Sequence, residues 1–238
     1  MTMFQDYFKS FSEIGILGKV FSNSRGKGIT FELNIVPLPN YNKKGFKGVD
    51  DSPFGGGVGM IMRPDALENA FLEGVVKPGG YMNAKEELHV VCPAPRGTQW
   101  DHTRAEEFAK KRFSVDSEKD IVFICGRYEG IDERFLNQYV DEFISLGDYI
   151  LTGGELATMV ILDSALRFSD GVLGNKLSAQ EESFSKGNLE HALYTRPQDF
   201  NGEGIPCELL SGDPKQINKF KQESSHTITK KFRPDLLK

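Results

Sequence analysis

The sequence predicts an α/β domain built on a largely parallel sheet with flanking helices, followed by a small, mainly helical C-terminal domain. Three observations carry that prediction. Short runs rich in β-branched residues each end in a Gly- or Pro-rich loop and lead into a helix-periodic stretch. After Phe168 the chain turns polar, Gly- and Ser-rich and weakly periodic. Near the end, Asp213-Pro214 offers a capping residue and a proline at the first helical position, which starts a second helical region.

In order, the first strand is Glu87–Cys92, broken by Pro93-Ala-Pro-Arg-Gly97, with a helix from about Thr103 to Arg112. The second is Asp120–Cys125, followed by GRYEG and the helical IDERFLNQY. The third, Val140–Ser145, runs into LGDYILTGG and the helix ELATMVILDSALRF. Ligands of parallel sheets sit at the carboxyl ends of strands, where these loops gather. Residues 169–186 read as an interdomain linker, dividing the chain into a domain over 1–168 and a smaller one over 187–238.

With 238 residues, 39% apolar and 26% charged, the chain can bury a sizeable core. It shows no bilayer-length apolar run and no basic-then-apolar leader, so the reading is a cytoplasmic protein with no membrane partner. Three cysteines, Cys92, Cys125 and Cys207, are too few and too far apart for a disulfide framework or a C-x-x-C metal site. The net charge is −5, but Pro214–Lys238 carries seven basic residues against two acidic ones. That asymmetry fits a phosphate-gripping C-terminal surface, and on charge alone it fits a solvated helix end equally well.

In DDSPFGGGVGM, Asp50 to Met60, four of five positions from Gly55 to Gly59 are glycine. Each costs backbone entropy, so the stretch needs either positive φ or close approach of a ligand. It is no P-loop, since no Gly-Lys-Ser or Gly-Lys-Thr occurs, and it fails the G-x-G-x-x-G test, because Met60 or Met62 falls where the last glycine belongs. The four histidines form no H-x-x-x-H or H-E-x-x-H pair. What remains is three loops, PAPRG, GRYEG and LGDYILTGGE, that offer bare backbone beside carboxylates, an arginine and tyrosines. Such loops suit a polar ligand bearing adenine and ribose, and about half of anonymous Gly-rich loops are only tight turns.

Taken together, ICGRYEGIDER, SLGDYILTGGELATM, GVLG, EESF, YTRP, LLSGD and DDSPFGGGVGM resemble the bacterial tRNA (guanine-N1)-methyltransferase family over nearly the whole chain, in order and spacing. The resemblance implies a trefoil-knotted sheet, an exception to the rule that chains avoid knots. It implies S-adenosylmethionine as methyl donor, a homodimer, and as substrate the N1 of the guanine immediately 3′ of the tRNA anticodon. The family's magnesium dependence is expected here too, although no ligand cluster for the ion is visible.

Carried over residue by residue, the cofactor contacts fall on Pro93, Gly126, Tyr128, Glu129, Ser145, Leu146, Gly147, Asp148, Tyr149, Leu151, Gly153 and Gly154. The guanine contacts fall on Asp50, Asp51, Gly55, Gly56, Gly57, Gly59 and Ser178. Guanine N1 is protonated at neutral pH, so the reaction needs a general base and a cation near O6, where charge builds. By resemblance these are Glu182 and Arg167. Alone, Arg167 reads as a helix-end cation and Glu182 as a solvated linker acid.

The family usually has aspartate at Glu182, proline at Val58 and Ala157, tyrosine at Phe54, and Gln-Gly at Ala94-Pro95. Its apolar N-terminal strand has little counterpart here, since Thr2–Asp6 matches the turn that follows it; the expectation is either a true start upstream or a sheet lacking part of a strand, and some relatives carry a longer C-terminal helical tail. Phosphate contacts are expected from the basic C-terminal segment, aided by Lys110, Lys111 and Arg112. Two other readings stay open: a related knotted RNA methyltransferase acting on another base or on ribosomal RNA, and a non-catalytic RNA-binding module that has kept the pocket.

Overall fold

The computed structural model describes residues 1–22, 30–42, 48–174 and 181–237. The chain divides into two compact units, Met1–Gly174 and Asn175–Lys238.

The first unit is organised by a three-stranded parallel sheet in the order β4-β3-β5, with β3 at Leu88–Gln99, β4 at Asp120–Phe123 and β5 at Glu142–Ser145. A separate antiparallel pair, β1 (Asp50–Asp51) and β2 (Ile61–Met62), carries the glycine loop at its tip. Helices α1 (Asp6–Glu13), α2 (Gly15–Phe21), α3 (Pro64–Phe71), α4 (His102–Arg112), α5 (Glu133–Tyr139) and α6 (Gly154–Leu166) flank the sheet. One core cluster joins Leu67, Phe71, Val90, Ile124 and Phe135; the other joins Val91, Phe108, Ile144, Ile161 and Leu166. Val90 and Val91 fall in opposite clusters because successive strand residues point to opposite faces. The sheet is therefore covered on both sides, as buried parallel sheets require.

Local chemistry explains the helix boundaries. Asp101 caps α4 by accepting from Arg104 N (2.8 Å), and Lys110, Lys111 and Arg112 place positive charge on its last turn. Asp132 caps α5 in the same way through Arg134 N (2.9 Å). Ala157, Ile161, Leu162, Ala165 and Leu166 give α6 a buried stripe at helical spacing, and truncating Ile161 to alanine should cost about 2–5 kcal/mol.

At the first loop the structure differs from the sequence reading. Strand β3 does not end at Cys92 but is resumed beyond PAPRG, with Pro93 and Thr98 both paired to Ile144 across a register shift. Gly97 makes that return possible. A Cβ there would stand 2.4 Å from Ile144 N and 2.5 Å from Ile144 C and Phe143 C, so only glycine can lie this close to the backbone of β5. The N-terminal helices and α3 also had no counterpart in the sequence reading. At the start of the chain, the Met1 ammonium donates to Phe123 O (2.8 Å), Cys125 N donates to Met1 O (3.0 Å), and Thr2 bridges to Pro37.

The second unit contains the small hairpin β6 (Asp199–Phe200) and β7 (Glu203–Gly204), then α7 (Cys207–Leu210) and α8 (Pro214–Phe232). Asp213 caps α8 through Lys215 N (2.9 Å) with Pro214 next, as the sequence predicted. The preceding extended segment is held to α8 by hydroxyls: Leu189 N donates to Thr229 Oγ1 (2.9 Å), Ala192 N to Ser224 Oγ (3.0 Å), and Ser225 Oγ to Leu189 O (2.6 Å).

Candidate active site

Of the three loops singled out by sequence, the second and third follow the carboxyl ends of β4 and β5 in the first unit, while the first, Pro93–Gly97, lies within β3 at its register shift. The second loop, 126–130, is the hub. On one side it zips onto β2 and its approach: Glu129 N donates to Met60 O (3.0 Å), Met62 N to Gly130 O (2.9 Å), and Asp132 N to Met62 O (3.0 Å). On the other side it meets the third loop, where Gly154 N donates to Gly126 O (2.9 Å) and Arg127 Nη1 to Thr152 O (3.0 Å). The loop that carries Gly126, Tyr128 and Glu129, assigned by resemblance to the cofactor, is therefore joined by main-chain hydrogen bonds to the second strand of the hairpin that carries the glycine loop.

Tyr128 stands at the junction with φ 60°, a left-handed conformation that costs a tyrosine roughly 1–3 kcal/mol and needs support from its surroundings. Asp50 lies beside its ring hydroxyl; burial first, then the Asp50 charge, raises the phenol's pKa above its ordinary value. In the third loop, Ser145 Oγ lies 3.3 Å from both N and O of Gly147, and Tyr149 N donates to Gly147 O (2.9 Å). This tight turn leaves Asp148, Tyr149 and Ile150 exposed, with Leu146 and Leu151 half-buried beside them. Pro93 is buried at the start of the first loop.

The glycine loop resolves the choice left open by sequence. Gly55, Gly56, Gly57 and Gly59 all have positive φ, so backbone conformation already demands them. Gly55 and Gly56 also face open space, whereas a Cβ on Gly59 would strike the Glu129 side chain. The loop is bare to solvent, with Phe54 fully exposed. Asp51 makes a local turn by accepting from Ser52 N (2.7 Å), while Asp50 reaches Tyr128.

Other predicted residues fall elsewhere. Arg167 ends α6, half-buried, in the first unit. Glu182 belongs to the second unit, where its carbonyl accepts from Ser185 Oγ (2.7 Å) and it lines a cleft of about 320 Å³ with Lys186, His191, Asn218 and Lys221. Ser178 lies outside the described residues. Arg112, expected to help grip phosphate, is half-buried, and its Nη2 sits 3.1 Å from His89 Nδ1; that inward contact removes it from the phosphate-facing set. Among the described residues no group of three or more His, Cys, Asp or Glu side chains is arranged to hold a metal.

Two residues of the loops escaped the sequence reading: Arg127, inside GRYEG, and Glu155, directly after TGG. The available signal was one cation and one anion set in adjacent Gly-rich loops; without the fold, nothing pairs them.

Over residues 1–238 the chain matches the family described as tRNA (Guanine-1)-methyltransferase TrmD. The chain belongs to that family. Proteins named tRNA (guanine-N(1)-)-methyltransferase from Bacillus cereus strain AH820, Bacillus anthracis strain CDC 684 / NRRL 3495 and Bacillus thuringiensis subsp. konkukian are each 40% identical to it over 241 residues. Each alignment covers 100% of this chain and 90% of the relative. Within the tRNA (guanine-1)-methyltransferase family, then, the loops at the sheet's carboxyl ends are the candidate active site. No helix among the described residues is long and apolar enough to cross a membrane.

Proposed function

We propose that this protein transfers the methyl group of S-adenosylmethionine to N1 of the guanine immediately 3′ of the tRNA anticodon. The observation that carries the reading is the hub at 126–130, which ties the cofactor loops to the glycine-loop hairpin within a chain of this family. The residues fit the donor. Its adenine edge needs main-chain N–H and C=O groups with apolar flanks, available at Gly126, Leu146, Ile150 and Leu151; its ribose needs a carboxylate, available at Glu129 or Asp148. Once bound, S-adenosylmethionine supplies a methyl group on a positively charged sulfur, open to attack by a nucleophilic nitrogen.

The chain's own groups do the rest. The exposed loop Gly55–Gly59, with Val58 its one side chain, admits a base taken out of its stack, with Asp50 beside Tyr128. Glu182 takes the N1 proton, and Arg167 stabilises the charge that gathers on O6. The longer glutamate does what the family's aspartate does, one methylene further out.

The working unit is a homodimer. Leu156 and Val160 lie one turn apart, exposed, on α6, and α1, which packs against that helix, belongs to a segment that exposes Phe4, Tyr7 and Ile14; a second copy would cover this apolar surface. A trefoil knot in the sheet is supported by the tight passage of Gly97 over β5. The tRNA substrate places the enzyme in the cytoplasm, and Lys215, Lys219, Lys230 and Lys231 on α8 face its phosphates.

The test is methyl transfer from labelled S-adenosylmethionine to transcripts bearing guanine or adenine 3′ of the anticodon. Transfer is expected only to the guanine transcript, abolished by Glu182→Gln and retained by Glu182→Asp. Transfer unaffected by Glu182→Gln refutes the assignment of the base; transfer to neither transcript refutes the substrate.

A further inference from the structure

Arg127 has an environment that the reaction as proposed does not use. Its guanidinium is largely buried, with Nε 2.9 Å from Glu155 Oε2, and Glu155 itself is completely buried at the first turn of α6. The contact has the distance of an ion pair without the alignment of a hydrogen bond. Nη1 meanwhile donates to Thr152 O (3.0 Å), and the cation lies over the rings of Phe4 (4.6 Å) and Tyr7 (5.4 Å). The other oxygen of Glu155 accepts from Thr2 Oγ1 (2.8 Å). Gly153 is crossed so closely by the guanidinium that a Cβ would stand 2.3 Å from Arg127 Nε.

We infer that Arg127 and Glu155 form a positioning pair that sets the spacing between the second and third loops, and so determines affinity for S-adenosylmethionine. The inference rests on the proposed function. Arginine suits the task because one planar group reaches a carboxylate, a carbonyl and two aromatic faces together, which a lysine ammonium cannot. The carboxylate gains from its place at the helix N-terminus, so the brace is anchored in the same helix whose first residues border the cofactor loop. Neither side chain acts on the reacting atoms, so both influence the reaction only through where the loops stand.

The test measures S-adenosylmethionine binding by titration calorimetry, together with steady-state kinetics on tRNA, for wild type, Arg127→Gln, Arg127→Lys, Glu155→Gln and the double variant Arg127→Gln/Glu155→Gln. Each glutamine variant is expected to weaken cofactor binding by about tenfold or more, the loss typical of a charge-assisted contact. KM for the cofactor should rise with it, while kcat at saturating cofactor and KM for tRNA stay within about threefold. The double variant should lose little beyond either single one, because the groups act as one unit.

Arg127→Lys keeps the charge and serves if the glutamine variants do not fold; it should fall between wild type and Arg127→Gln. Cofactor affinity equal to wild type in a folded variant overturns the inference, as does strict additivity in the double variant. A wild-type protein that binds no S-adenosylmethionine removes the proposed function and this inference together. Wild-type binding with unchanged variants removes the inference alone.

Discussion

Gly97→Ala tests how tightly β3 is drawn over β5. The added methyl would lie 2.4 Å from Ile144 N and 2.5 Å from Ile144 C, roughly 1 Å inside the ordinary contact of about 3.5 Å. Both obstructing atoms are backbone in the central pairing of the sheet, so no side chain can swing away, and β3 must separate from β5 around the Thr98–Ile144 pair. Overpacking commonly costs about 1–3 kcal/mol, and an overlap with fixed backbone belongs at the upper end. For a chain of this size, about 3 kcal/mol corresponds to a fall in Tm of roughly 6–12 °C.

Thermal unfolding followed by circular dichroism measures the change, with two internal controls. Gly174→Ala meets nothing within 4 Å and has no positive φ, so it should leave Tm unchanged. Gly55→Ala also meets open space but sits at φ 89°, and should lose about 1–2 kcal/mol from conformation alone. A Gly97→Ala protein that melts within about 2 °C of wild type would refute the steric argument, since the claimed overlap could then relax at almost no cost.

Acid should weaken the amino end of the sheet. Glu142 accepts from Arg104 Nη2 (2.8 Å) and His89 Nε2 (2.8 Å); Arg112 can only donate to His89 Nδ1, which places the ring proton on Nε2. The His89 hydrogen bond, above all, holds the Glu142 carboxyl below its ordinary 4.5. A carboxyl depressed on folding stabilises fully above its unfolded value and loses that contribution as pH falls through the folded one. The Tm difference between wild type and Glu142→Gln should therefore be widest at neutral pH and shrink below about pH 4.5; a difference that widens with acid contradicts the assignment. In the second unit, Thr229→Val replaces a completely buried hydroxyl and strips the half-buried Leu189 amide of its acceptor; it should cost about 1–3 kcal/mol, with faster hydrogen exchange at Leu189 and recovery in Thr229→Ser. Binding of tRNA should weaken steeply with salt, and Lys219→Ala or Lys230→Ala should each lower the slope of log K against log salt by about 0.7–0.9; a flat salt response would exclude α8 as the phosphate surface.

The periodic segments were legible one by one. Alternating and β-branched runs located β3, β4 and β5, and the apolar stripe of ELATMVILDSALRF located α6, because these signals depend only on near neighbours in the chain. Caps worked for the same reason, as Asp213-Pro214 did at the start of α8. The candidate site was legible as a set of loops, since unusual backbone leaves glycine in the sequence. Its wiring was not. That Arg127 pairs with Glu155, that Gly97 rests on Ile144 and that Arg112 turns toward His89 are contacts between residues 23 to 47 positions apart, decided by which strands become neighbours. Even the four glycines of DDSPFGGGVGM changed meaning in three dimensions. Composition established that they need freedom, and tertiary structure decided that the need is positive φ at all four, that Glu129 crowds one of them, and that Gly55 and Gly56 alone stand open on every side. Sequence thus determined the elements and the residues on offer, because these follow from local backbone preference and hydrophobic spacing. Only the fold decided which of those residues meet, because burial and close packing act between segments that the chain itself keeps far apart.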